Sequence, residues 1–355
     1  GHQVLFTPDA HTSLESYSFT ATRLVLVTLH DVATELRVLT VGDWRETRFD
    51  GLPELATLSV LGTDPDRDDE IWLNASSFTM PPSLLFGDAT ESVSVIKQSP
   101  AFFDGDGVGV QQYFATSEDG TQIPYFVIKR DDVDAGPTLL YGYGGFENSL
   151  TPGYLAIAGR SWIARGGSYV IANIRGGGEY GPTWHTQAMK AGRHLVYEDF
   201  AAVAKDLVTR RLTTPQQLAA QGGSNGGLLM GVMLTSYPEL FGALVCQVPL
   251  LDMRRYHLLL AGASWMAEYG DPDDPDEWAF ISEYSPYQRL ARDSEYPELL
   301  VTTSTRDDRV HPGHARKLVA RLEEYGHAPS YYENIEGGHG GAADNAQAAF
   351  KSALA

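Results

Sequence analysis

The sequence predicts an α/β fold, with a mostly parallel sheet flanked by helices, preceded by an all-β partial propeller. Up to residue 97, short apolar runs are separated by turn residues, whereas after residue 98 strand-like and helix-like segments alternate. One of the later strands runs into a helix through a glycine-rich turn that contains a serine. We therefore divide the 355 residues into a partial propeller over 1–97, of about two blades, and an α/β domain over 98–355.

The first region shows strands and turns but no helical period. Turn residues such as Val41-Gly42-Asp43 and Thr63-Asp64-Pro65 separate the apolar runs, and the pattern returns loosely every ~45 residues, the size of a propeller blade. A small β-sandwich remains an alternative, because pattern alone does not distinguish it from two blades. The clearest predicted strands are Leu24–Leu29, Glu35–Thr40, Leu55–Leu61, Ile71–Asn74 and Ser92–Lys97.

The second region opens with a hairpin and continues with alternating strands and helices. Such alternation implies a mostly parallel sheet covered on both faces. The acidic stretch Asp271–Glu277, which contains two prolines, is expected to be a surface loop. The predicted strands are Gln111–Thr116, Pro124–Lys129, Thr138–Tyr143, Tyr169–Ile174, Leu218–Gln221, Ala243–Val248, Leu299–Thr303 and Ser330–Ile335, and the predicted helices are Tyr197–Arg210, Asn225–Ser236, Gly313–Tyr325 and one from Ala342.

Composition excludes several classes of function. The net charge of −20 argues against a nucleic-acid partner, since phosphate binding needs concentrated Lys and Arg. No apolar run approaches the length that spans a membrane, so no membrane partner is expected. Cys246 is the single cysteine and lies in an apolar run, which favours a buried thiol and a reducing, cytoplasmic location.

The turn Gly222-Gly223-Ser224-Asn225-Gly226 matches the G-x-S-x-G pattern of a nucleophile in an α/β-hydrolase fold. A serine on a sharp strand-to-helix turn has strained backbone geometry, so the residues two positions away must be small. The helix that follows directs its free amides and positive dipole end toward developing negative charge. The pattern therefore predicts Ser224 as a nucleophile and the Asn225 amide as an oxyanion donor.

Two further side chains follow strands in the order that this fold uses, serine, then acid, then histidine. His339 lies in a glycine-rich segment after the strand Ser330–Ile335, and the pair Asp307 and Asp308 follows Leu299–Thr303. An imidazole takes the serine proton, and a carboxylate fixes the tautomer of that imidazole. Spacing does not decide which of the two aspartates orients His339.

Two other glycine-rich segments have different interpretations. In Tyr141–Phe146, the hydroxyl of a tyrosine could serve as a second oxyanion donor, or both tyrosines could pack in the core. In Asn173–Gly181 we predict a structural ion pair between Arg175 and Glu179. The chain shows no zinc, EF-hand or phosphate-loop spacing, so neither a metal nor another cofactor is expected.

Five motifs in order resemble the prolyl oligopeptidase family, whose members are serine peptidases that cleave after proline. The resemblance covers residues 98–355 strongly and the strand-rich start more weakly, and it implies hydrolysis of short peptides through an acyl-enzyme. Members of this family have a seven-bladed propeller, whereas this chain has only about two predicted blades. The chain is therefore expected to be part of a longer enzyme. The motifs are YGYGGF at Tyr141–Phe146, ANIRGGGEYG at Ala172–Gly181, GGSNGGLL at Gly222–Leu229, DDRV at Asp307–Val310 and GGHG at Gly337–Gly340.

The resemblance also implies a role for each matching residue. Ser224, Asp307 and His339 would form the catalytic triad, and the Tyr143 hydroxyl would join the Asn225 amide in the oxyanion site. An aromatic pocket would hold the substrate proline, and Arg309 would hydrogen-bond the substrate backbone one residue upstream. A flat pyrrolidine ring without an N–H suits an aromatic face. The pocket residues would be Trp265, Phe146, Tyr269 and Val310.

Two alternatives stay open at this stage. A related oligopeptidase that is specific for basic residues would need acidic groups in the pocket, and Glu268 lies close to Trp265 in sequence. The second alternative is an inert fragment, in which the triad persists but the missing blades leave the chain unstable.

Overall fold

The N-terminal part consists of two four-stranded antiparallel sheets in which the strands follow chain order. The structure, a computed structural model, describes residues 2–47 and 49–355. Sequential antiparallel strands of this number make up a propeller blade. The first sheet contains β1 (Thr12–Phe19), β2 (Arg23–His30), β3 (Ala33–Thr40) and β4 (Glu46–Thr47), and the second contains β5 (Ala56–Thr63), β6 (Glu70–Ser77), β7 (Ser83–Asp88) and β8 (Val93–Gln98).

The five strands predicted in this region correspond to β2, β3, β5, β6 and β8, and the structure adds β1, β4 and β7. Strand β1 was not predicted, because its apolar residues are exposed and a register irregularity between Leu14 and Ser16 interrupts their period of two. Val25 and Val38 of the first sheet share a core with Leu58 and Ile71 of the second, so the two sheets form one packed unit.

The α/β domain contains an eight-stranded mixed sheet in the order β16-β15-β14-β13-β11-β12-β10-β9. The six strands from β11 onward run parallel to one another, and β9 and β10 form the antiparallel hairpin at one edge. The strands are β9 (Val108–Thr116), β10 (Gln122–Arg130), β11 (Thr138–Tyr141), β12 (Ser168–Ala172), β13 (Leu218–Gly223), β14 (Ala243–Gln247), β15 (Glu298–Ser304) and β16 (Ser330–Asn334).

Nine helices flank this sheet or lie in its connections within the described ranges. None of them has the length and apolar character needed to cross a bilayer. The four predicted helices correspond to α3, α4, α8 and α9, and α4 has its predicted bounds. The helices are α1 (Ala156–Ser161), α2 (Pro182–Thr186), α3 (His194–Thr209), α4 (Asn225–Ser236), α5 (Met266–Tyr269), α6 (Pro275–Tyr284), α7 (Pro286–Arg289), α8 (Gly313–Glu324) and α9 (Asn345–Leu354).

The predicted surface loop at Asp271–Glu277 is only half correct, because α6 begins inside it at Pro275. The side chain of Asp274 accepts hydrogen bonds from the amides of Asp276 and Glu277, which satisfies two free donors of the first turn. Proline is favoured at the first helical position, where no amide proton is needed. An aspartate followed by a proline therefore starts a helix here.

The all-β part is held against the α/β domain by specific contacts at the loop between β2 and β3. The Tyr180 hydroxyl donates to Asp31 Oδ1 over 2.8 Å, and the Gln112 side-chain amide donates to the Asp31 carbonyl over 2.5 Å. Val32 and Phe78 of the all-β part share a buried cluster with Phe126 of β10. Polar and apolar contacts together fix this junction.

The predicted ion pair between Arg175 and Glu179 is wrong. Arg175 instead pairs with Asp199 of α3, with N–O distances of 2.6 and 2.8 Å, and with Asp119 at 2.5 Å. Glu179 turns the other way and accepts from the Leu150 amide over 2.9 Å and the Asn173 side chain over 3.3 Å. Two residues four positions apart in this loop therefore bind different partners and not each other.

Burial without a cation raises the pKa of Glu179 from 4.5 to about 7. Between these values the folded state binds more protons than the unfolded state, so the free energy of unfolding falls as pH rises through this window. We expect Glu179→Gln to remove this dependence, which amounts to about 3 kcal/mol at 1.36 kcal/mol per pKa unit.

Urea unfolding of wild type and Glu179→Gln at pH 5 and pH 8 measures this difference. The variant should gain stability relative to wild type at the higher pH. The exposed residue Glu54, changed to Gln, provides the control. A constant difference between the two proteins at both pH values would contradict a buried, protonatable carboxyl at residue 179.

Candidate active site

Ser224 lies on the turn between β13 and α4, with φ 59° and ψ −116°, a conformation that side chains rarely adopt. The glycines on either side permit it. A Cβ on Gly222 would lie 2.3 Å from the carbonyl oxygen of Gly226, and a Cβ on Gly226 would lie 2.8 Å from that of Gly142. The turn therefore presents the Ser224 hydroxyl at the carboxyl edge of the sheet.

Ser224, His339 and Asp307 form a continuous hydrogen-bonded chain. His339 Nε2 lies 3.0 Å from Ser224 Oγ, and His339 Nδ1 lies 2.7 Å from Asp307 Oδ2. The three side chains follow β13, β15 and β16, whose carboxyl ends meet at one edge because the strands are parallel. This arrangement can move a proton from the serine hydroxyl to the imidazole.

The structure distinguishes the two adjacent aspartates. Asp307 is buried, and its Oδ1 accepts from the amides of Arg309 and Val310 over 3.0 and 2.9 Å. Burial acts to raise the pKa of Asp307, but the hydrogen bonds from His339 and these two amides outweigh it and hold the pKa below 3.8. Asp308 is exposed. Asp307 thus stays ionised beside His339 at neutral pH.

Two groups beside Ser224 can donate hydrogen bonds to an oxyanion. Asn225 is the first residue of α4, where an amide has no intrahelical acceptor. Tyr143 follows β11, and its side chain lines the same cleft as Ser224. Burial raises the pKa of Tyr143 even though Arg309 and Arg193 lie nearby, so the phenol remains a neutral donor.

The cleft beside Ser224 has a volume of about 340 Å³ and a largely aromatic wall. The rings of Phe146 and Tyr269 meet edge to face at 5.7 Å, and Trp265 is half-buried. Val310, the fourth predicted pocket residue, is 2% exposed and packs in the domain core, and its amide binds Asp307. The lining residues are Tyr143, Phe146, Ser224, Leu250, Ala261, Ser264, Trp265, Tyr269 and Arg309.

A buried ion pair lies behind this wall that the sequence did not reveal. Arg193 Nη1 donates to Glu268 Oε1 over 2.8 Å, and Glu268 Oε2 lies 2.7 Å from Nε2 of His185. The two charged residues are 75 positions apart, and no motif connects them. Glu268, considered above for the recognition of basic residues, is therefore engaged with internal partners.

Among the described residues, one group has ligand atoms close enough to hold a metal ion: His257, Asp271 and Asp273. Asp273 Oδ2 lies 2.9 Å from His257 Nε2, and Asp273 Oδ1 lies 3.3 Å from Arg254. None of its members lines the cleft beside Ser224.

A protein-family model for the prolyl oligopeptidase family matches residues 157–355, more than half of the chain and the part that carries Ser224, Asp307 and His339. The chain belongs to this family. Its sequence is also 47% identical to that of an uncharacterised peptidase, y4nA, of Sinorhizobium fredii over 99% of this chain and 49% of the relative. The chain thus spans about half the length of the curated relatives it matches.

Solved structures agree with this family membership. A prolyl endopeptidase structure with 38% sequence identity superposes with a TM-score of 0.90 over 98% of this chain and 52% of its own. Oligopeptidase B from Leishmania major, with 26% identity, gives a TM-score of 0.87 over 98% of this chain and 51% of its own. The α/β-hydrolase fold with its all-β N-terminal part is therefore established.

The adjacent aspartates offer a matched pair of variants. We expect Asp307→Asn to slow labelling of Ser224 by a fluorophosphonate at least ~10²-fold, because an amide favours the wrong imidazole tautomer. Asp308→Asn should label within about twofold of wild type. Time-resolved labelling with peptide mapping measures both rates, and equal slowing in the two variants would contradict the geometry.

Proposed function

We propose that this chain is the catalytic part of a serine peptidase that hydrolyses short peptides on the carboxyl side of proline. The observation that carries the proposal is the hydrogen-bonded chain Ser224–His339–Asp307 beside an aromatic cleft. The family membership supports the peptidase activity, and the likeness to a prolyl endopeptidase structure supports cleavage after proline.

The proposed reaction proceeds through an acyl-enzyme. Ser224 Oγ attacks the scissile carbonyl carbon while His339 Nε2 takes its proton, and Asp307 stabilises the imidazolium that forms. The Asn225 amide and the Tyr143 hydroxyl donate to the oxyanion. His339 then returns the proton to the leaving amine, and a water molecule releases the acyl group by the same steps.

The cleft suits a proline ring before the scissile bond. Trp265, Phe146 and Tyr269 offer aromatic surface, and a proline nitrogen brings no N–H that would need a buried acceptor. Arg309 lines the same cleft with an exposed side chain. In the proposed complex its guanidinium donates to the substrate carbonyl one residue upstream.

Specificity for basic residues is the second candidate, and the geometry of Glu268 disfavours it. Glu268 is 3% exposed, and its two oxygens accept from Arg193 and from the Phe146 amide and contact His185. An incoming guanidinium would therefore find no free carboxylate there. The overall fold does not separate the candidates, because oligopeptidase B superposes nearly as well as the prolyl endopeptidase.

An inert chain is the third candidate, and fluorophosphonate labelling of Ser224 separates it from an activated enzyme.

Action in the cytoplasm is part of the proposal. It is supported only by composition, since Cys246 is the single cysteine and is buried.

One test of the proposal concerns proline recognition by Trp265. A proline ring stacked on the indole should contribute about 1–2 kcal/mol beyond a smaller side chain, a ~5- to 30-fold preference. Trp265→Ala should lose most of its kcat/KM on a Pro peptide and less on the matched Ala peptide. An equal loss on both peptides would assign Trp265 to folding, and a wild type that prefers Arg over Pro would contradict the proposed specificity.

A separate test concerns the oxyanion site. Tyr143→Phe should lower kcat by about 10²-fold, the usual effect of one lost donor, with little change in KM. Single-turnover kinetics on an activated ester and on a peptide would measure it. Unchanged turnover would restrict Tyr143 to packing, and Tyr141→Phe, two residues earlier at the end of β11, serves as the control.

A further inference from the structure

A network of buried polar groups connects the oxyanion side of the cleft with its aromatic wall. At its centre, Arg193 is 1% exposed and Glu268 is 3% exposed, with 2.8 Å between Arg193 Nη1 and Glu268 Oε1. Each member of the pair makes further hydrogen bonds, and these reach different walls of the cleft. Charges this deeply buried are costly unless paired and hydrogen-bonded.

The Arg193 branch reaches the oxyanion side. Arg193 Nη2 donates to Oδ1 of Asn225, which also accepts from the Tyr269 hydroxyl over 2.8 Å. Asn225 Nδ2 donates in turn to the Tyr143 carbonyl over 2.6 Å. The side chain of the residue that follows the nucleophile is thus fixed at both ends, and it ties α4 to the turn that carries Tyr143.

The Glu268 branch reaches the aromatic wall. Glu268 Oε1 accepts from the Phe146 amide over 3.0 Å. Phe146 and Glu147 both have positive φ, 57° and 56°, a conformation that non-glycine residues seldom adopt and that needs support from its surroundings. Gly145 lets the chain pass, since a Cβ there would lie 2.7 Å from Asn225 Nδ2.

We propose that Arg193 and Glu268 form a positioning pair that holds both oxyanion donors and the aromatic wall in one geometry. The proposal rests on the function proposed above and adds two residues that touch neither the reacting atoms nor the proline ring. Its physical basis is that catalysis tolerates little displacement of the reacting groups. A displacement of about 1 Å can lower the rate ~10²-fold.

A pair that only stabilises the fold is the competing explanation. Removing one member leaves a buried, unpaired charge and risks unfolding, whereas replacing both with neutral side chains of similar size is often tolerated. The double variant Arg193→Met/Glu268→Gln therefore separates positioning from stability. Its control is Arg210→Met/Asp206→Asn, which removes an ion pair of 2.7 Å at the other end of α3, ~24 Å away by helix rise.

The experiment counts functional molecules by fluorophosphonate titration and reports kcat per titrated site on matched Pro and Ala peptides. The wild type and the control must first prefer Pro, which tests the proposed function separately. We expect the double variant to melt close to wild type, with kcat per site ~10- to 100-fold lower and a compressed Pro/Ala ratio. A fold-only role would lower the number of sites and leave kcat per site and the ratio unchanged.

Arg193→Lys keeps the test decisive if the double variant does not fold. Lysine retains the charge but is a single point donor, which cannot reproduce the fork that binds Glu268 and Asn225 together. We expect a folded protein with kcat per site at least ~5-fold below wild type. Values of kcat per site and Pro/Ala ratio within twofold of wild type would overturn the proposal.

Discussion

The close approach of two glycine turns, one after β11 and one after β13, sets the geometry on which the rest of the site depends. A side chain on Gly226 would collide with the carbonyl of Gly142, and one on Gly222 would collide with Gly226. With no side chain between the turns, Ser224 and Tyr143 line one cleft. The strained Ser224 backbone is held there by its amide, which donates to the Gln247 carbonyl over 2.9 Å.

Two buried ion pairs support loops of the α/β domain. Arg175 binds Asp199 beneath the loop that follows β12, and Arg193 binds Glu268 behind the cleft. In both cases most donors and acceptors find protein partners in place of water, which offsets the cost of desolvation. Rigid polar supports of this kind hold side chains that no apolar packing could orient, because hydrogen bonds are directional.

The all-β part contributes to the same framework from outside. Its loop at Asp31 binds Tyr180, which belongs to the glycine-rich loop after β12, so the two parts meet on a segment that Arg175 also anchors. The chain matches about half the length of its relatives, and the prolyl endopeptidase structure superposes over almost all of this chain. The relation between the all-β part and the α/β domain seen here is therefore one that a longer relative shares.

The sequence by itself determined the alternation of strands and helices, the bounds of α4, and Ser224 and His339 as the serine and histidine beside the cleft. These features follow from the periodicity and backbone geometry of short segments. The residues alone left Asp307 and Asp308 open, because adjacent side chains diverge and only the packed strands select one. They suggested Glu179 for Arg175, four residues away, whereas the folded loop selects Asp199. No sequence pattern indicated the pairing of Arg193 with Glu268, because tertiary packing and not local spacing selects partners 75 residues apart.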